Sequence, residues 1–215
     1  MKTVNNYKRV AGYVSKIWNA INERYYSNEL QLPVTITIQS TVSAYGHCSC
    51  NPIWSNGVID SYEINLGAEY INRPIENVVA TLIHESCHLW AIQEGIKDTS
   101  GYYHNKKFRD LAVARGLDIQ KHEKYGWTIT SPTDETIMFC LDYGFEDIEL
   151  GRQTSFGFGG IGGDKSGNGG VMVPRTKKPS NYRRYVCPCC GTIARTTKDA
   201  RLICGDCMKE MVLTV

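Results

Sequence analysis

The 215-residue sequence predicts an α+β protein, with a helix-and-sheet domain over residues 1–150, a glycine-rich and then basic flexible linker over 151–179, and a four-cysteine module over 180–215. Three observations lead there. Apolar residues recur with helical period in two long segments, β-branched residues alternate in short runs between them, and five of the nine cysteines crowd into the last thirty residues.

The first element is an amphipathic helix, because Val10, Val14, Ile17, Trp18 and Ile21 recur at helical spacing between polar residues such as Lys16 and Asn19. Its aromatic residues belong to the core. Ser27-Asn28 and Pro33 then interrupt the chain before Val34-Thr35-Ile36-Thr37-Ile38, whose alternation predicts a strand. Further strands are expected from Val42 to His47 and from Tyr62 to Leu66, separated by turn signals at Asn51-Pro52 and Ser55-Asn56-Gly57.

A second long helix is bounded by Asn72 as cap, Pro74 in the first turn, Glu76 near the positive end and Gly95 as terminator. Its apolar residues span a face broad enough to be buried. After a polar loop from Gly95 to Gly101, a helix from Asn105 to Arg115 buries Phe108, Leu111 and Ala112 and stops at Gly116. From Pro132 to Leu141 a helix capped by Ser131 or Thr133 is expected, and between Gly151 and Gly170 glycine recurs too often for ordering to be offset by burial. No internal repeat is present.

The second helix carries His84-Glu85-Ser86-Cys87-His88. Imidazoles at i and i+4 share one helical face and can bind one ion, with the carboxylate of Glu85 projecting beside them. Two histidines and a carboxylate on a core helix are costly to bury without a ligand. Catalytic zinc takes three protein ligands and keeps one position open, so a third ligand must come from elsewhere. His104 is the choice, since it follows the motif helix after one loop that can fold back over the metal. His47 near a strand end competes, Asp110 or Glu94 are carboxylate alternatives, and His122 in a charged stretch reads as solvated. Zinc would bring a bound water's pKa down to about 7, with Glu85 as the proton acceptor, and amide hydrolysis is the expected reaction. Tyr102, Tyr103 and Tyr45 are candidate oxyanion donors, although each reads more simply as a packing or surface residue. The thiol of Cys87 points off the metal-binding face and is not read as a nucleophile.

Cys187, Cys190, Cys204 and Cys207 form two C-x2-C knuckles thirteen residues apart. Four thiolates close a tetrahedral shell and leave no open position, so this zinc is expected to be structural, with Cys189 as a spare thiol. Two zinc ions follow, one catalytic and one structural.

The net charge of +2 is uneven: from Val171 onward nine Lys or Arg face three acids, whereas residues 1–170 hold 15 bases and 19 acids. Lys177, Lys178, Arg183 and Arg184, with Tyr182 and Tyr185 interleaved, are candidates for nucleic-acid contact through phosphates and stacked bases. No stretch is long and apolar enough to span a membrane, and the opening MKTVNNYKRVAG lacks an apolar run. A cytoplasmic protein is expected, the cysteines serving metal rather than disulfides.

These residues together resemble the SprT-like family, which includes the bacterial protein SprT and the Spartan protease. The resemblance runs through Ile21-Asn22-Glu23-Arg24-Tyr25-Tyr26, Asn28-Glu29-Leu30, Ser43-Ala44-Tyr45-Gly46, Ile64-Asn65-Leu66 and Leu82 to His88, and on through His104 and Phe108. It implies a zincin-like fold, zinc ligands His84, His88 and His104, Glu85 as catalytic acid and base, and a DNA-stimulated metalloprotease acting on proteins bound to DNA. The glycine-rich tether and the segment from Lys121 to Leu150 depart from the short family pattern. The reading is a zinc endopeptidase placed on nucleic acid by its basic linker and ribbon, with substrate laid against a sheet edge near Tyr62 to Leu66. Its competitors are a DNA-independent regulatory peptidase of ImmA/IrrE-like type and a non-catalytic nucleic-acid-binding adaptor.

Overall fold

A computed structural model describes residues 4–41, 43–153 and 183–214. The chain divides into two compact units, Met1–Phe156 and Gly157–Val215. Lys177, Lys178, Tyr182 and most of the expected linker lie outside the described residues.

In the first unit, α1 (Tyr7–Tyr26) starts where the Asn6 side chain accepts the Arg9 N–H and ends where Ser27 and Asn28 turn into left-handed backbone. Its apolar stripe, including Val10, Val14, Ile17 and Ile21, is fully buried. β1 (Val34–Gln39), β2 (Gly46–Cys48), β3 (Trp54–Ser55) and β4 (Asp60–Gly67) form one sheet. β1 runs parallel to β4, with Ile36 opposite Ile64, while β2 and β3 pair with β4 antiparallel. The expected strand from Val42 is shorter and begins at Gly46. Alternation along β4 separates two faces: Ile64 and Leu66 enter the core, and Glu63 and Asn65 join Thr37 and Gln39 in a hydrogen-bonded polar layer. Because β4 has partners on both sides, Tyr62 to Leu66 is the centre of this sheet and offers no edge. The outer strands are β1 and β2, and β2 is the one beside α2 at Gly46.

The long helix α2 (Ile75–Gln93) is buried on most of its circumference, with Leu82, Ile83, Cys87 and Leu89 wholly inside. Each large aliphatic side chain among them contributes roughly 1.5–3 kcal/mol by leaving water. Its start differs from expectation, since Pro74 occupies the cap position and the Asp147 carboxylate, 72 residues away, accepts the Ile75 N–H at 2.8 Å. A distant carboxylate does what Asn72 was expected to do.

Short strands β5 (Thr99–Ser100) and β6 (Tyr103–His104) precede α3 (Lys106–Val113), which Asn105 caps through the Lys107 and Phe108 N–H groups. A hairpin follows, β7 (Leu117–His122) and β8 (Gly126–Pro132), and the second sheet has the order β5-β6-β8-β7. Then comes α4 (Asp134–Asp142), with Thr133 at its cap position.

The second unit is a three-stranded antiparallel sheet with β9 (Arg183–Val186) between β10 (Ile193–Thr196) and β11 (Val212–Thr214). Among the described residues its buried hydrophobic core is Tyr185, Cys187, Cys204 and Met211. Among the described residues no helix is long and apolar enough to cross a membrane.

Candidate metal centres

The helix α2 projects His84 and His88 one turn apart on one face, and β6 brings His104 to meet them. The three Nε2 atoms converge, at 3.3 Å from His84 to His104, 3.3 Å from His88 to His84 and 3.1 Å from His88 to His104. Nitrogens about 2.0–2.1 Å from a tetrahedral ion lie about 3.3–3.4 Å from one another, so the donor set fits zinc with its fourth position left over. Phe108, fully buried on α3, packs beneath all three rings at centroid distances of 4.5, 4.6 and 4.7 Å.

The outer nitrogens show why the inner ones point inward. His88 Nδ1 lies 2.6 Å from Asp98 Oδ2, so Nδ1–H donates to the carboxylate and the Nε2 lone pair is left for a metal. His84 Nδ1 lies 2.8 Å from Thr130 Oγ1, and that hydroxyl donates to Thr128 O, so it accepts from the imidazole. His104 is placed by its backbone: its N–H donates to Tyr125 O at 2.9 Å, and β8 passes very close. Gly126 adopts φ +74°, and a Cβ there would lie 2.1 Å from His104 O, so only glycine lets the strand approach. Burial, followed by the like charges of His88 and His104, lowers the His84 pKa well below the ordinary imidazole range, and burial lowers that of His104 to about 4. Both stay neutral, as ligands must be.

Glu85 is buried beside this triangle, and desolvation raises its carboxyl to about 7. It accepts the Cys48 backbone N–H from the outer strand β2. The same strand presses on it at Gly46, where a Cβ would lie 3.2 Å from Glu85 Oε1 and 2.9 Å from the Thr81 methyl.

Other candidates separate from the triangle. His47 turns to the polar layer, 3.2 Å from Glu63, while His122 accepts the Lys124 and Tyr125 N–H groups. Asp110 pairs with Arg109, and Glu94 is an exposed residue at the end of α2. Tyr102 is 88% exposed, and Tyr45 packs on Tyr70 and Arg73. Cys87 faces the core, within reach of the Tyr26 hydroxyl, and burial pushes its thiol up to about 12.

In the second unit Cys187, Cys190, Cys204 and Cys207 bring their sulfurs within 4.8 Å of one another. Two matching turns achieve this: Gly191 N–H donates to Cys187 O and Met208 N–H to Cys204 O, each from a residue in left-handed backbone. The Thr192 side chain and backbone lower the Cys190 thiol to about 6, which makes a thiolate available at neutral pH. The exposed Cys189 stands outside the cluster. Tyr185 is buried in the ribbon core, its hydroxyl accepting the Ala200 N–H, so its ring is not free to stack on a base. Arg183 is ion-paired with Asp199, and Arg184 is exposed.

Sequence reasoning found all seven converging residues and missed Asp98, Thr130, Gly126 and the Cys48 N–H, which set their orientation. A model of the SprT-like family matches residues 14–121, whereas no curated protein and no solved structure matches the chain. The matched stretch is half of the sequence and runs from α1 through the motif helix, His104 and α3, so the chain belongs to the SprT-like family.

Proposed function

We propose that the protein is a zinc-dependent endopeptidase of zincin type that acts in the cytoplasm on DNA-associated proteins. The observation that carries this reading is the triangle of three Nε2 atoms at 3.1–3.3 Å with the buried carboxylate of Glu85 beside it. His84, His88 and His104 would hold the catalytic zinc, and the four ribbon cysteines a structural one. A zinc ion there supplies Lewis acidity, polarising a carbonyl and lowering the pKa of water to about 7.

The chain's own residues do the rest. Glu85, a carboxylate raised by burial beside the triangle, is suited to accept a proton from water there and return it to the leaving amine. Asp98 and Thr130 hold the imidazoles in one tautomer through the reaction. The outer strand β2 has no second strand partner among the described residues, which leaves it able to pair with an extended substrate. Arg184 supports nucleic-acid contact, together with Lys177, Lys178 and, once released from Asp199, Arg183.

Zinc-loaded wild type and Glu85→Gln, incubated with a DNA-binding protein with and without single-stranded DNA, test the reading. DNA-stimulated fragments in wild type alone are expected, the variant losing at least about 10³-fold in rate. Cleavage indifferent to DNA would assign a regulatory peptidase, and no cleavage with both zinc ions bound would assign the adaptor.

A further inference from the structure

Just before α2, Arg73 holds a positive charge where charge is costly. It is only partly exposed, and desolvation lowers its guanidinium to about 10. Nε donates to Tyr70 O and Nη2 to Thr81 Oγ1, both at 2.8 Å, and the guanidinium lies 4.0 Å over the Tyr45 ring. Among the described residues no carboxylate is paired with it, and Nη1 makes no hydrogen bond. One edge of the fork is therefore fixed, and the other has no hydrogen-bond partner among the described residues.

Arg73 is tied to the same stretch of α2 that carries Glu85. Thr81, which Arg73 holds, stands one helical turn before Glu85, about 5–6 Å along α2. Both residues touch the outer strand at Gly46. Tyr45, immediately before that strand, is fixed by its carbonyl, which accepts the Gly67 N–H at 2.8 Å, and by edge packing on Tyr70 at 5.0 Å.

We propose that Arg73, with the Tyr45 ring beside it, is a subsite for a carboxylate of the polypeptide substrate, an Asp or Glu side chain about two residues from the scissile bond. The proposal rests on the protease reading for its ligand. A guanidinium already held on one edge binds a carboxylate with little further loss of side-chain freedom. A nucleic-acid backbone is disfavoured, because residues 1–170 carry 19 acids against 15 bases and a polyanion would meet net repulsion.

The test is digestion of a denatured peptide library by zinc-loaded wild type, Arg73→Lys and Arg73→Gln, with cleavage positions read by mass spectrometry. Wild type is expected to enrich Asp or Glu at one fixed position by about tenfold, the order of one charge-assisted hydrogen-bonded pair. Arg73→Gln loses the enrichment while two zinc ions and cleavage at neutral positions persist, and Arg73→Lys retains part of it. Equal preferences in wild type and Arg73→Gln would overturn the subsite and leave the protease standing, assigning Arg73 as a strut for α2.

A second readout does not need turnover. The Arg73 Nε–Hε resonance of wild type is followed with N-acetylglutamate amide, N-acetylglutamine amide, inorganic phosphate and a single-stranded oligonucleotide. A saturable shift with the glutamate probe alone supports the subsite even if no proteolysis is found. A shift with phosphate or oligonucleotide only, or no shift, overturns it.

Discussion

The two metal-ligand clusters use opposite strategies. The histidine triangle is built on elements that have their own reasons to fold: α2 is almost wholly buried, and Phe108 under the rings is inaccessible to solvent. Its ligands come from a helix and a strand, and protein groups orient them. The cysteine cluster belongs to a unit whose buried apolar core, among the described residues, is four side chains, two of them the candidate ligands Cys187 and Cys204. There the candidate donors come from paired turns with little core around them, which a bound metal would have to hold together. A supported site can leave one position of an ion free for chemistry, whereas a site that supplies the fold has to use all four.

Chelation should break the comparison most sharply. Removing both ions is expected to unfold residues 183–214 while the first unit keeps its dispersed amide spectrum, because structural zinc supplies roughly 10–16 kcal/mol in such modules. A ribbon that stays ordered in chelator, or a first unit that melts with it, would erase the distinction. Gly126→Ala probes the supported site next. A Cβ placed 2.1 Å from His104 O must push the strand away, so the histidine centre should lose at least tenfold in zinc affinity while the ribbon keeps its own, as read by competition with a chromophoric chelator.

Asp98→Asn gives the next effect. Loss of the carboxylate at 2.6 Å from His88 Nδ1 should weaken zinc by about 10–100-fold at this centre only. The smallest effect is on the metal-free first unit. Glu85 has its folded pKa raised to about 7, so its favourable contribution is fully present below the unfolded value near 4.5 and is lost as pH rises through 7. Glu85→Gln should therefore match wild type at pH 4 and exceed it by about 1–3 kcal/mol at pH 8 in urea unfolding. His84 and His104 have lowered pKa values and act in the other direction, costing stability in both proteins as pH falls below about 6.5.

What the sequence disclosed follows the same division. His84 and His88 are legible because helical spacing alone puts them on one face, Glu85 because it adjoins His84 in the motif, and His104 because the loop before it is short. The ribbon cysteines were legible because two knuckles are local patterns. Asp98 and Thr130 were not, since their role depends on a loop and on the β7–β8 hairpin, whose alternation at Leu117, Ile119, Trp127 and Ile129 is brief. Gly126 reads as an ordinary turn glycine, and only the approach of His104 makes it necessary. The start of α2 was misplaced at Asn72 because its first N–H is satisfied by Asp147 from the far end of the unit. The sequence places a substrate-binding edge near Tyr62 to Leu66 and cannot show that the segment itself is central, because pairing order is not written in a strand's own residues. Tyr185 reads as a candidate to stack on bases because it lies among arginines, whereas its alternation in β9 turns it into the ribbon core.

The contrast between an open and a closed centre is tested most directly by replacing both ions with Co2+ and adding a small hydroxamate, which binds only a metal with an accessible coordination position. The visible spectrum of the histidine centre should change with one equivalent bound, that of the thiolate centre should stay fixed, and His88→Ala should abolish the response. A spectrum that hydroxamate leaves untouched, with both ions in place, would contradict that contrast, since the histidine centre would then be closed and unable to do chemistry.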